Sequence, residues 1–170
     1  MTKTLYVGMG CFWGAEKKFW SLPGVIETSV GYQGGTTSNP DYKLVCSGTT
    51  HHIEIVKVVY NEELISTRDV LKVFWENHDP TQGNRQGNDI GSQYRSAILY
   101  TDDEQRDAAL LTRSQYDEVL TAAGLDPITT EILEAGKYTY WPAEEYHQKY
   151  LIKNPNGYDC HAHTGYSLPS

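Results

Sequence analysis

The chain of 170 residues carries 22 acidic against 14 basic side chains, a formal net charge of −8, and is 39% hydrophobic. Its length suits one domain burying about 70% of its unfolded surface, and its acidity, with no basic run, argues against non-specific binding to nucleic acid or anionic membranes. With no stretch near the ~20 apolar residues of a membrane span, no secretory signal pattern and three widely spaced cysteines, it is expected to be a cytoplasmic protein that uses thiols for chemistry.

Taken in chain order, Thr4–Gly8 reads as a strand and Gly14–Leu22 as a helix that stops before Pro23-Gly24. Val25–Gly31 is a second strand, followed by the turn-rich Gly31-Tyr32-Gln33-Gly34-Gly35 and a loop to Pro40. His52–Tyr60 alternates as a strand, with His52, Glu54, Val56 and Val58 on one face. Ser66 or Thr67 caps a helix over Asp69–Asn77, and Asp79–Gly91 is a polar loop. Tyr94–Tyr100 reads as a strand, and Asp102 or Asp103 caps a long helix through Ala123, ended by Gly124. Thr129–Leu133 is a strand, Ala143–Ile152 a helix, and residues 154–170 are irregular. Alternating strands and helices with some adjacent strand pairs predict an α+β sandwich without a linker; periodicity alone does not set the strand order.

Gly10-Cys11-Phe12-Trp13-Gly14 is the most informative stretch. It puts a thiol at a strand-to-helix junction, where unpaired backbone N–H groups and the positive end of the helix dipole favour thiolate over thiol. The flanking glycines allow a tight turn and close approach to the sulfur. At least one of Phe12 and Trp13 is expected to line an apolar pocket beside it. Glu54 is the second unusual residue, placed between Ile53 and Ile55. A carboxyl among apolar neighbours has a raised pKa and can act as a general acid. From the strand alone, a glutamate facing water fits equally well.

Asp89 and Tyr94 lie in a loop dense in donors and acceptors, Gly87 to Ser96, and Tyr42 follows the glycine-rich turn. Each fits a ligand-binding role or an ordinary structural one. Cys160 sits in the irregular tail, where a thiol can reach a distant partner; Cys46 reads as structural or incidental. A thiol hydrolase would need a histidine base on Cys11, and His52, His78 and His147 are available with no spacing to single one out. A zinc module on Cys160, His161 and His163 lacks paired Cys-x-x-Cys spacing.

Gly10-Cys11-Phe12-Trp13-Gly14, Gly31-Tyr32-Gln33-Gly34-Gly35, His52-Ile53-Glu54, His78-Asp79-Pro80-Thr81 and Gly87-Asn88-Asp89 through Tyr94-Arg95-Ser96 together resemble the peptide methionine sulfoxide reductase A family, in order over nearly the whole chain. The resemblance implies a single α+β catalytic domain, a two-layer sandwich with a ferredoxin-like plait, and a mobile tail over 154–170 carrying the resolving cysteine. It implies Cys11 as nucleophile, Glu54 as acid, Tyr42 and Tyr94 as hydroxyls on the sulfoxide oxygen, and Asp89 as a supporting carboxylate. Phe12 and Trp13 map to an aromatic cage for the substrate methyl group. Asn156-Gly157-Tyr158-Asp159-Cys160 resembles a resolving segment with one recycling cysteine, so a relay through two tail thiols is excluded. The implied substrate is the S epimer of methionine sulfoxide in oxidised proteins and peptides. The implied reductant is thioredoxin, with no metal or organic cofactor. His51 stands where the family often has a small residue.

Overall fold

A computed structural model describes residues 1–159 and 162–170. Strand β1 (Thr2–Gly8) runs into helix α1 (Phe12–Trp20), which returns the chain to β2 (Val25–Gln33). A one-turn helix, α2 (Tyr42–Cys46), precedes β3 (Ile53–Asn61) and α3 (Thr67–Glu76). A small ribbon of β4 (Arg85–Gln86) and β5 (Asp89–Ile90) leads to β6 (Ala97–Tyr100), the long α4 (Asp103–Ala122) and β7 (Glu131–Glu134). The chain then forms β8 (Trp141–Pro142) and the short α5 (Tyr150–Lys153).

The main sheet has the order β7-β6-β1-β3-β2-β8. Only the β6–β7 pair is parallel, so the sheet is mixed and the fold α+β, as the alternation of elements predicts. The period of two along each strand divides two cores. On one face Val7, Val30, Val56 and Val58 pack with Phe19, Phe74 and Trp75. On the other, Ile53, Ile55, Ala97 and Leu99 meet Ala135, with Tyr138 and Tyr140 over them. Each fully buried large side chain contributes about 1.5–3 kcal/mol. The caps are as read: Ser66 accepts from Asp69 N–H at 3.0 Å and Asp102 from Gln105 N–H at 2.8 Å, each cap being worth ~1 kcal/mol.

The short elements α2, β4, β5 and β8 were not expected, and three further differences from the sequence reading bear on the site. Helix α1 begins at Phe12, so Cys11 is its N-cap residue. The strand expected from Tyr94 starts only at Ala97, because Ser92–Tyr94 forms a 3-10 turn. The helix expected over Ala143–Ile152 is absent: a 3-10 turn over Glu145–His147 precedes α5, and Lys149 between them is left-handed at φ 52°. Its cause is tertiary. Ala143 N–H bonds the Val30 carbonyl at 3.0 Å, and the Gln148 amide takes both Val30 N–H and C=O, at 2.9 and 2.8 Å. These bonds to the sheet displace helical ones despite good local propensity.

His51 also has a left-handed backbone, φ 61°, and its carbonyl accepts from Arg95 Nη2 at 2.9 Å. Histidine is among the non-glycine residues enriched in that region. The irregular end of the chain packs on α3 and α4. The Tyr116 hydroxyl donates to the Tyr166 carbonyl at 2.8 Å, and Leu168, buried, donates its N–H to Glu76 Oε2 at 2.8 Å.

Candidate active site

Cys11 leaves the end of β1 through Gly10, whose φ of 97° is open to glycine at little cost. The thiol is buried, and among the described residues its sulfur is met by the backbone N–H groups of Trp13 and Gly14 at the start of α1. The expected donors are therefore present, but the expected thiolate is not. Burial, then the carboxylates of Glu54 and Asp89, push the thiol well above its ordinary pKa, and the two N–H groups offset only part of this. The resting group is a thiol.

Glu54 lies near the start of β3, in register with Tyr32 of β2, and is fully buried. Its Oε1 accepts the Phe12 backbone N–H at 3.1 Å, while Oε2 is buried without a hydrogen-bond partner among the described residues. Burial raises its pKa to about 8; the Phe12 bond lowers it and the charge of Asp89 adds to the rise. Of the two surroundings open in the sequence, Glu54 has the buried one and does not face water.

Tyr42 opens α2 behind an Asp41 cap, its backbone N–H held by Glu144 Oε2 at 2.9 Å. Tyr94 closes the 3-10 turn that starts after Gly91, where φ is 145°. Burial and then Glu54 raise both phenols, which remain protonated donors at neutral pH. Cys46, one turn after Tyr42, hydrogen-bonds the Tyr42 hydroxyl, a proximity its sequence context does not signal.

Asp89 Oδ1 accepts from the Tyr158 hydroxyl at 3.0 Å; Oδ2 is buried and unpartnered among the described residues. Lys17 of α1 pairs with Asp159 at 3.3 Å, so the tail on the N-terminal side of Cys160 approaches both α1 and the ribbon. Cys160 itself, the expected resolving residue, lies outside the described residues.

Phe12 is buried, tilted against Tyr32 and His147 with ring centroids 5.7 and 5.2 Å away. Trp13 is only partly buried. Its indole stacks on Tyr150 at 3.8 Å and 9°, and its Nε1–H donates to His147 Nδ1 at 2.9 Å. Glu144 and Tyr150 are neighbours of the candidate site that sequence reasoning missed, and His147, weighed there only as a possible base, supports Trp13 instead. Their signal was the run of aromatics from Tyr138 to Tyr150, obscured by its helical composition.

Among the described residues no histidine is hydrogen-bonded to the Cys11 sulfur. His52 Nδ1 accepts from Gly35 N–H at 3.1 Å and its Nε2 faces the Thr37 carbonyl at 2.6 Å. His78 is buried against the Phe74 carbonyl and Ser96 hydroxyl. Among the described residues no histidine takes the place of the base that a thiol hydrolase requires.

A thiol on a helix N-terminus beside a protonated carboxyl defines a redox-type cysteine site rather than an acyl-transfer one. Residues 3–168 match the family model described as peptide methionine sulfoxide reductase, and the chain belongs to that family. It is 58% identical over 168 residues to the human mitochondrial peptide methionine sulfoxide reductase, covering 99% of this chain and 71% of the relative. It is similar to the structure of methionine sulfoxide reductase A of Corynebacterium diphtheriae, with 48% identity, a TM-score of 0.90, and coverage of 99% of this chain and 84% of that one. Mxr1 from Saccharomyces cerevisiae in reduced form aligns at 34% identity and a TM-score of 0.83, covering 99% and 93%. Mxr1 is also described in complex with Trx2, a likeness at 21% identity and a TM-score of 0.58 that covers 99% and 91%.

Proposed function

We propose that this protein reduces the S epimer of methionine sulfoxide, in proteins, peptides and the free amino acid, to methionine. The observation that carries the reading is Glu54: fully buried, its pKa raised to about 8, one oxygen held by the residue after Cys11 and the other unpartnered among the described residues. A sulfoxide oxygen leaves only when protonated, and a neutral carboxyl can protonate it.

In this reading Phe12 and Trp13 hold the S-methyl group, while Tyr42, Tyr94 and Glu54 hydrogen-bond the oxygen. The Cys11 sulfur attacks the sulfoxide sulfur as Glu54 gives its proton to the oxygen and the thiol proton restores the carboxyl. The sulfur–sulfur bond so formed breaks as the hydroxyl passes from the substrate sulfur to the Cys11 sulfur, leaving Cys11 as a sulfenic acid and releasing the methionine thioether. A polar aromatic pocket with a neutral acid serves this step better than an ionised one, since a second negative charge would oppose the developing thiolate. Asp89 supports the site from the ribbon, its pKa raised by burial and lowered in part by the Tyr158 hydroxyl.

Recycling is assigned to the tail over 154–170 as a mobile segment within a single catalytic domain. The Cys160 thiol condenses with the sulfenic acid, forming a Cys11–Cys160 disulfide and water, and a dithiol reduces it by exchange. Thioredoxin is the proposed reductant, supported by the complex of the related Mxr1 with Trx2. Among the described residues no helix is long and apolar enough to cross a membrane; a cytoplasmic location is proposed from the thiol chemistry. Mass spectrometry after one equivalent of a methionine sulfoxide peptide tests the whole scheme. One methionine per enzyme and a Cys11–Cys160 disulfide are expected; an unmodified enzyme with intact sulfoxide overturns it.

A further inference from the structure

Glu16 is a fully buried carboxylate, one turn along α1 from Phe12 and Trp13, that the chemistry above does not use. Its Oε1 accepts Lys149 N–H at 2.8 Å, and its Oε2 accepts Lys149 Nζ at 2.8 Å and the Thr28 hydroxyl at 2.9 Å. Burying an ion pair costs several kcal/mol of desolvation, and an apolar pair in the same place is often as stable. What the pair supplies is geometry.

Lys149 sits near the end of a strap, residues 144–150, that builds both walls of the candidate site. At its start Glu144 joins the Tyr32 hydroxyl at 2.8 Å to the Tyr42 N–H at 2.9 Å, fixing the first residue of α2. Two residues before Lys149, His147 Nδ1 accepts the Trp13 indole N–H. One residue after it, Tyr150 covers the Trp13 ring face. Lys149 has left-handed backbone angles, φ 52° and ψ 38°, which a lysine adopts only when its surroundings impose them. Glu16 imposes them from the same helix that carries Cys11 and Trp13.

We propose that Glu16 is a positioning residue for sulfoxide binding: by clamping Lys149 to α1 it registers the strap so that His147 and Tyr150 hold Trp13 in its binding rotamer. This rests on the reading of Trp13 as a wall of the substrate pocket. The bond from Phe12 N–H to Glu54 joins α1 to β3 outside the strap, whereas Tyr42 and the Phe12 ring touch the strap at Glu144 and His147, so substrate affinity should respond more than the chemistry at Cys11.

The test uses the full-length enzyme in single turnover, which needs no recycling. Methionine release is followed against the concentration of a methionine sulfoxide peptide in Glu16→Gln, Lys149→Met and the double variant. Gln conserves volume but sets an amide N–H against the Lys149 donors. Met keeps the stem of a half-exposed lysine, so it carries the test where Gln fails to fold. The half-saturating concentration should rise about tenfold in each single variant, non-additively in the double, with the limiting rate changed less than threefold. The indole N–H resonance of Trp13, assigned by Trp13→Phe, should shift in both. Folded variants with an unchanged half-saturating concentration, or an unmoved Trp13 resonance, would overturn the proposal. Trp13→Ala is measured alongside: unchanged half-saturation there removes the pocket reading itself, whereas a rise there without one in Glu16→Gln removes only the positioning role.

Discussion

The backbone N–H of Phe12 donates to Glu54 Oε1 at 3.1 Å. One bond thus ties the first turn of α1, whose N-cap is Cys11, to the start of β3, and it holds the carboxyl beside the thiol without involving either side chain of the turn. It also satisfies one N–H of the helix terminus that would otherwise be unpaired. Because the donor takes Oε1 only, the proton of the neutral acid resides at Oε2.

Glu54→Gln should slow the reductase step by about 10²–10⁴-fold, the range of general acid catalysis. The pKa of Glu54 is raised, so the active acid form is present at low pH and is lost as pH rises through about 8. The alkaline limb of the single-turnover profile should carry that ionisation and disappear in the Gln variant. A near-wild-type rate for Gln would leave Glu54 a structural residue.

The same residue makes a stability prediction of opposite sign. The unfolded carboxyl ionises near 4.5 and the folded one near 8, so the native state loses stability as pH rises between these values. Glu54→Gln should therefore stabilise the fold by up to ~3 kcal/mol at neutral pH, and by much less at pH values near the unfolded pKa. Thermal or urea melts at the two pH values check it; an equal effect at both would contradict the raised pKa.

Cys11→Ser should abolish sulfoxide reduction with any reductant, since a hydroxyl is a poor soft nucleophile. Methionine released per enzyme is the measurement, and substantial release by the serine variant would end the mechanism.

Cys160→Ser should release about one equivalent of methionine, leave Cys11 as sulfenic acid, and lose thioredoxin-driven turnover. Dithiothreitol should restore part of it by attacking Cys11 directly. Cys46→Ser should do neither, although its thiol bonds the Tyr42 hydroxyl. Peptide mapping of the oxidised wild type decides: a Cys11–Cys46 disulfide, or full thioredoxin turnover by Cys160→Ser, would show a different resolving cysteine.

Tyr42→Phe and Tyr94→Phe should each slow the chemical step by roughly tenfold, and together by more than either alone, because each removes one donor to the developing charge on oxygen. Both single variants at wild-type rate would place the hydroxyls outside the oxygen site.

The candidate site residues were legible because their chemistry is local. Gly10 and Gly14 bracket a thiol at a helix start, and Glu54 interrupts an apolar strand; both signals survive in a few consecutive residues. The signs and the supports were not. The thiol's pKa rises because Glu54, distant in sequence, and Asp89 face it in a desolvated site, and no string of residues states a dielectric. The strap at 144–150 has helical composition, yet Gln148 bonds the backbone of Val30 and Lys149 is bent to meet Glu16. Sequence by itself determined which groups could react. Only the tertiary structure decided their protonation and their aim, because burial and hydrogen-bond partners come from segments that meet only once the sheet is assembled.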